Sequence, residues 1–343
     1  MNRLFVYIFF GLLLLVIAAF WSLHTGVYSF SNSVISTLIS LFGETAEISA
    51  TDRYVLLDVR LPRIVMGIII GSALAVSGTC MQGMFRNPLA TPDFIGVTSG
   101  AILMAAITIV FGPLFFHFIP EYLRFFTLSV AAFLGAMATM AIVYRISSQN
   151  GKTDVVIMLL SGVAITSLAM AIVGFLIYMS NDEQLRDLTF WTLGSLGGAT
   201  WTKNLILGIL TVIAFFFLLN KGKALNAMML GEKDAQHLGI PIERVKKQIM
   251  ITVALIVGAS VAFSGTIGFI GLIVPYILRL IFKSNYHYIL PLSAIFGSVL
   301  LLVADTVSRT LVAPSEMPVG ILTAFMGAPI FIIILMRFKK SMS

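Results

Sequence analysis

The chain alternates between long uncharged runs and short polar segments, and the runs have the length needed to cross a bilayer. A spanning helix takes about 20 mostly apolar residues. Such runs occupy 4–22, 61–83, 93–116, 122–144, 154–179, 203–220, 248–267, 287–307 and 317–336. The stretch 249–278 carries no charge over 30 residues, long for one span and short for two. Gly265, Gly268, Gly271 and Pro275 interrupt it, so the pattern predicts one span ending near Gly268 and a short span returning toward Lys283. Backbone in lipid must be helical or closed into a barrel, and these unbroken runs lack the period-2 alternation of barrel strands. The expected fold is all-α, a polytopic membrane protein of about ten transmembrane helices, with residues 1–343 as one permeation domain.

Composition agrees with that pattern. Of 343 residues 59% are hydrophobic and 11% charged, whereas soluble domains carry about 25% charged residues. The run Leu4–Trp21 is longer than a signal-peptide core and no small-residue cleavage site follows, so it is expected to stay as the first helix. The net charge of +7 reports orientation. With ten spans and both termini cytoplasmic, fifteen of the 22 basic residues fall inside and seven outside, the asymmetry of the positive-inside rule. Nine spans would place Arg337, Lys339 and Lys340 outside, against that rule. The basic balance therefore gives no reason to expect nucleic acid as a partner. The single Cys80 lies in an apolar run and cannot form an internal disulfide.

Two segments match at an offset of 187 residues: GSALAVSGT from Gly71 to Thr79 and GASVAFSGT from Gly258 to Thr266, with Pro88 and Pro275 nine residues beyond. On spans two and seven, which run oppositely, this is the trace of an inverted repeat with halves at about 60–180 and 247–338. Small residues recurring because helices pack through them is the other reading.

The longest inside loop, 221–247, reads KGKALNAMMLGEKDAQHLGIPIERVKK. Ala224–Leu230 is short and apolar, Gly231 breaks it, Glu232–Leu238 can form a second short helix, and Gly239 and Pro241 stop it. Met228, Met229, Leu230, Ala235 and Leu238 have no lipid to face there, so the loop reads as a knob for a soluble partner, or else as a solvated connector. Catalytic signals are missing. Asn150-Gly151-Lys152-Thr153 resembles the end of a phosphate-binding loop, but Ile146 stands where the first glycine belongs. His24, His117, His237 and His287 are scattered without metal-ligand spacing.

Several stretches together resemble one family: RLPR (60–63), ALAVSGTCMQGMFRNPLATPDFIGVTSGA (73–101), FWTLGSL (190–196), MLGEKDAQHLGI (229–240), FSGTIGFIGLIVPYILR (263–279), ADTVSRT (304–310) and EMPVGILTAFMGAPIF (316–331). The chain is similar to permeases of the bacterial ABC importers for iron chelates and vitamin B12. The resemblance implies ten helices per subunit, a second permease subunit (a homodimer or a paralogue), a pair of ABC ATPase subunits beneath, and a periplasmic or lipoprotein substrate-binding protein above. No cofactor is implied on this chain, since ATP and Mg belong to the ATPase. It also implies a coupling region made of Leu230, Gly231, Glu232, Ala235, Leu238 and Gly239. Arg60, Arg63 and Arg309 stand where arginines of the family receive acidic residues of the binding protein; interface anchoring is the other role for an arginine near a helix end. Asn87, Pro88, Leu89 and Thr153 match cytoplasmic gates, although Asn-Pro-Leu would also serve as a plain turn. Ser161 and Thr166 lie on span five, which lines the central path in the family, though small residues also serve helix packing. Asp305 and Glu316 are either pathway carboxylates or ion-paired groups near the interface.

These features point to an ATP-driven importer of an iron chelate, either a ferric siderophore or haem, in the bacterial cytoplasmic membrane. A cobalamin permease is the alternative within the family. An ion-coupled carrier would hold ionisable residues near the membrane midplane, and the middles of these spans are nearly free of charge. A membrane enzyme would need a catalytic constellation that the sparse polar residues do not supply.

Overall fold

The computed structural model describes residues 3–30, 49–115, 120–149 and 151–342; His117 and Asn150 lie outside them, as do the side chains of Arg337, Lys339 and Lys340. Among the described residues thirteen helices follow one another: α1 (Arg3–His24), α2 (Ala50–Met84), α3 (Val97–Phe115), α4 (Glu121–Ser147), α5 (Val155–Met179), α6 (Asp182–Leu193), α7 (Trp201–Leu219), α8 (Gly222–Met228), α9 (Glu232–His237), α10 (Ile242–Ser264), α11 (Ile270–Phe282), α12 (Tyr286–Leu311) and α13 (Val319–Met342). A small antiparallel hairpin, β1 (Ser148–Gln149) with β2 (Lys152–Thr153), leads into α5. Nine of these helices are long and apolar enough to cross a membrane, and α11 is the short tenth. The chain is a multi-pass membrane protein.

The boundaries differ from the sequence-based expectation where packing extends or shortens a run. Span two begins at Ala50, because Ala50–Arg60 continues the helix through a wider π-type stretch, Val55–Arg60. The loop 221–247 is shorter than expected: α10 starts at Ile242, and its first turns bury Ile242, Val245 and Lys246. The difficult region breaks at Ser264 instead of Gly268. In its irregular stretch 265–269, Gly265 and Ile267 are buried while Gly268 is exposed beside a cavity, as non-helical backbone at membrane depth lies either in protein or along a cavity. Ser195 N–H donates to Ser264 O at 2.8 Å, and the Thr266 hydroxyl donates to Thr192 O. Helix α11 has 13 residues, about 20 Å at 1.5 Å per residue, so it reaches only part-way across the apolar core.

Helices α2 and α10 form the centre, with 78% and 72% of their spanning windows buried, against 11%, 22% and 22% for α1, α5 and α13. Between helices in lipid the hydrophobic effect adds little, and close backbone approach through small residues does the joining. Gly78 of α2 lies so close to Gly271 of α11 that a Cβ there would overlap the Gly271 carbonyl. Gly71 meets Gly297 of α12 in the same way, and Gly100 of α3 meets Gly135 of α4. One apolar core runs through both halves of the chain, from Met66 and Ile70 to Ile256 and Leu301.

The two halves expected from the repeat pack into each other. Counted in order, α2–α5 and α10–α13 are four spans each; α2 packs chiefly on α12, and its counterpart α10 packs chiefly on α4, the counterpart of α12. The matched letters are not equivalent in detail. Thr79 sits inside α2 and Thr266 in the break after α10, while Pro88 lies in a turn and Pro275 inside α11. Helix α2 continues to Met84 past its Ser-Gly-Thr, whereas Gly265 takes φ +68° and ends α10 at once.

Candidate functional site

Polar groups gather at the two ends of the bundle. At one end, α8 and α9 fold under the core. Leu225, Ala227, Met228 and Ala235 turn inward and are buried, while Leu230 and Leu238 are 69% and 65% exposed. The expected knob is therefore split: Met228 and Ala235 anchor it, and Leu230 and Leu238 alone present large apolar side chains outward. Gly231 at φ +134° and Gly239 at φ +80° make the bends on either side of α9, conformations that glycine adopts without strain.

Beside the knob, Lys246 is 2% exposed and donates to Glu232 Oε2 at 2.9 Å, Thr153 O at 3.3 Å and Glu243 Oε1 at 3.4 Å. The Thr153 N–H donates to Glu243 Oε2 at 2.8 Å. Asp154 then caps α5, accepting from Val156 N–H at 2.8 Å and Ile157 N–H at 3.0 Å. A cavity of about 940 Å³ opens here, lined in part by Arg86, Lys152, Thr153, Glu232 and Lys246. Sequence reasoning missed Lys246 and Glu243. Their i,i+3 spacing was visible, but their partners stand on other elements.

The Asn87-Pro88-Leu89 stretch is a turn closed by its own side chain: Leu89 N–H donates to Asn87 Oδ1 at 2.9 Å. Leu89 packs with Leu272, Ile273 and Ile334 of α11 and α13. It also borders a cavity of about 300 Å³ shared with Phe269 and Phe331. Arg279 closes the same end, donating to Gln82 Oε1 at 2.5 Å while Gln82 donates to Gly271 O at 3.3 Å.

Ser161 and Thr166 do not face open space. Gly162 lies against the Phe94 carbonyl, which draws α5 onto the 92–95 turn and buries Ser161. The Thr166 hydroxyl pairs with Ser99 of α3 at 3.0 Å. The exposed face of α5 instead carries Val163, Ala164, Ser167 and Leu168. Small residues are thus what α5 uses to approach α3, with Ser161 and Thr166 on that side.

At the opposite end, Arg60, Arg63 and Arg309 are 4%, 7% and 5% exposed. Arg63 grips Asp305 through Nε and Nη2 at 2.9–3.1 Å and Glu316 through Nη1 at 2.8 and 3.0 Å. Arg309 donates to the Ser22 carbonyl, reaches Ser22 Oγ at 2.8 Å, and lies 3.8 Å from Asp305. Arg60 donates to Leu23 O at 2.6 Å and Tyr28 O at 2.5 Å. The three guanidinium groups were expected to face outward for carboxylates of a binding protein. They face inward here, because Asp305 is 1% exposed and a buried carboxylate needs a cation beside it. Of the two acidic candidates Asp305 is fully paired and Glu316 is paired but half exposed.

Similarity to known proteins agrees with this architecture. The FecCD transport family matches residues 13–337. The chain belongs to that family. It is 39% identical to the hemin transport system permease protein HmuU of Yersinia pestis over 97% of this chain and 96% of that one. It is 36% identical to the vitamin B12 import system permease protein BtuC of Vibrio parahaemolyticus, over 92% and 95%. It is 34% identical to the molybdate import system permease protein MolB of Haemophilus influenzae, over 97% and 96%. An inward-facing metal-chelate type ABC transporter superposes with a TM-score of 0.82 at 33% identity, covering 96% of this chain and 98% of that one. This FecCD chain is thus an ABC importer permease, with ATP hydrolysed on a separate subunit.

Proposed function

We propose that this FecCD permease moves an iron chelate, a ferric siderophore or haem, across the bacterial cytoplasmic membrane, with both chain termini on the cytoplasmic side. The α8–α9 knob is the site an ABC ATPase grips. The observation that carries this reading is the pair Leu230 and Leu238, exposed at 69% and 65% on a segment held off the membrane by a buried inner face. Exposed leucines flanking one short helix suit a groove on a soluble partner. Replacing both by Asp is expected to abolish co-purification with the ATPase while leaving the permease folded, because neither side chain is packed. Retained co-purification would remove the knob from the interface.

The cargo assignment is supported by the hemin permease relative, 39% identical over nearly the full length. Relatives named for vitamin B12 and molybdate make cobalamin the alternative and molybdate a third cargo to exclude. In proteoliposomes holding the permease, its ATPase and its binding protein, haem or a ferric siderophore is expected to accumulate on ATP addition. Uptake of cobalamin or molybdate alone overturns the cargo, and uptake driven by an ion gradient without ATP overturns the importer.

A second permease subunit fits against α5 and α13, which leave most of their apolar surface uncovered; the remaining free surface faces lipid. Docking of a binding protein at Arg60, Arg63 and Arg309 needs an exchange. An incoming carboxylate reaches Arg63 by replacing Glu316, the one half-exposed partner in the cluster. Gating by Leu89 with Thr153 rests on their places beside the 300 and 940 Å³ cavities.

A further inference from the structure

Lys246 stands in the second turn of α10, at an end of the bundle where a lysine would ordinarily reach water. Its ammonium is instead 2% exposed. An ammonium has three N–H donors and no acceptor, and here three acceptors surround it: Glu232 Oε2 on α9, Glu243 Oε1 on α10 and the Thr153 carbonyl at the entrance of α5. Glu243 returns to the same residue, accepting from Thr153 N–H at 2.8 Å. Both backbone polar groups of Thr153 are therefore committed to α10. The next residue, Asp154, caps α5, so the position of Thr153 sets the position of the α5 N-terminus. Lys246 bonds at once to Glu232 of α9 and to Thr153, two residues before α5, and so connects the two helices.

Helices α9 and α5 also differ from α10 in how firmly they are held. Of α9 only Ala235 is buried, and α5 has 22% of its spanning window buried. Each is lightly held by the core, and each is tied to the firmly packed α10 through the same charge cluster. A displacement of α9 that carries Glu232 with it pulls on Lys246, and Lys246 pulls on the carbonyl that leads α5.

We propose that Lys246, with Glu243, is the positioning residue that transmits movement of the ATPase-facing helix α9 to the membrane helix α5. This rests on the reading of α8–α9 as the ATPase site. Burial suits this role, because a charge-assisted hydrogen bond shielded from water is stiffer than the same pair at a surface, where solvent screens it. Arginine would not substitute, since its planar fork is larger and presents its donors in a fixed plane.

The test uses the whole complex of permease and ATPase in lipid, with Val156→Cys in the first turn of α5, beside the 940 Å³ cavity, as reporter; the native Cys80 is buried and stays silent. Maleimide labelling is timed without nucleotide and with ATP plus vanadate, and ATP turnover is read on the same sample. With Lys246 intact the labelling rate is expected to change on nucleotide trapping. With Lys246→Met the complex is expected to assemble and turn over ATP while that change is lost. Lys246→Gln, which keeps an amide donor, is expected to restore part of it. A merely structural Lys246 would reduce the yield of complex but leave the labelling change in whatever assembled; that result overturns the relay. If Lys246→Met does not assemble, Glu243→Ala carries the same prediction, because that side chain is 30% exposed and its loss frees the Thr153 N–H. An unaltered response in Glu243→Ala overturns the proposal. Absence of any ATP-dependent change with Lys246 and Glu243 both intact overturns the relay, whereas the ATPase-site reading falls only if the Leu230 and Leu238 double variant still co-purifies with the ATPase.

Discussion

Arg63→Ala is expected to lower the stability of the folded permease by about 3–5 kcal/mol, the usual effect of removing one partner from a buried ion pair. The reason lies in what remains. Asp305 is 1% exposed, and without Arg63 its nearest cation is Arg309 Nε at 3.8 Å, beyond hydrogen-bond range. Glu316, half exposed, can turn to water instead. Glu316→Gln is therefore expected to change stability by no more than about 1 kcal/mol, as exposed pairs do. Replacing Arg63 and Asp305 together by Met and Leu should recover part of the loss, because no carboxylate is then left buried without its cation, while Arg309 keeps its hydrogen bonds to Ser22. Thermal unfolding in detergent, followed by tryptophan fluorescence, measures all three. If Arg63→Ala melts with the parent protein, the buried pair is not formed in the membrane and the arginines return to the outward-facing role that the sequence suggested.

Gly78→Val should prevent normal folding or destabilise by about 3 kcal/mol or more, the upper part of the overpacking range. The neighbour it strikes is the Gly271 backbone carbonyl, which cannot swing aside as a side-chain tip can. Helix α2 would have to move off α11, and α2 is the helix on which α10, α11 and α12 all pack. Gly174→Ala on α5 is the control. No atom lies within 4 Å of the position a Cβ would take there, and alanine in a helix interior gains about 0.5–1 kcal/mol over glycine. Expression and monodispersity of the two variants should diverge sharply, and equal behaviour would mean that α2 and α11 are not in contact at these glycines.

The outline of the fold was legible in the residues. Span placement came from charge-free length alone, and the break between α10 and α11 from Gly265 and Gly268, whereas Pro275 lies inside α11. The knob was readable as well, because Gly231 and Gly239 bracket a short polar helix and apolar residues stand in a segment without lipid. What could not be read from the residues shares a cause. In a soluble helix the buried stripe is apolar and the outer face polar, so periodicity reports orientation. In a membrane both sides are apolar, so nothing along α5 says that Ser161 and Thr166 look toward α3. Likewise nothing in RLPR says whether Arg63 points out to a partner or back to Asp305.

What the sequence determined by itself is how many helices cross, roughly where they start and stop, and which family's pattern they carry, since these depend on runs of neighbouring residues. What only the tertiary structure decided is which charges meet. Arg63 finds Asp305 and Glu316 at separations of 242 and 253 residues, and Lys246 finds Thr153 at 93. Those pairings follow from glycine-to-glycine contacts that set which helices adjoin and at what height, and a buried charge then takes whichever opposite group the packing brings within reach.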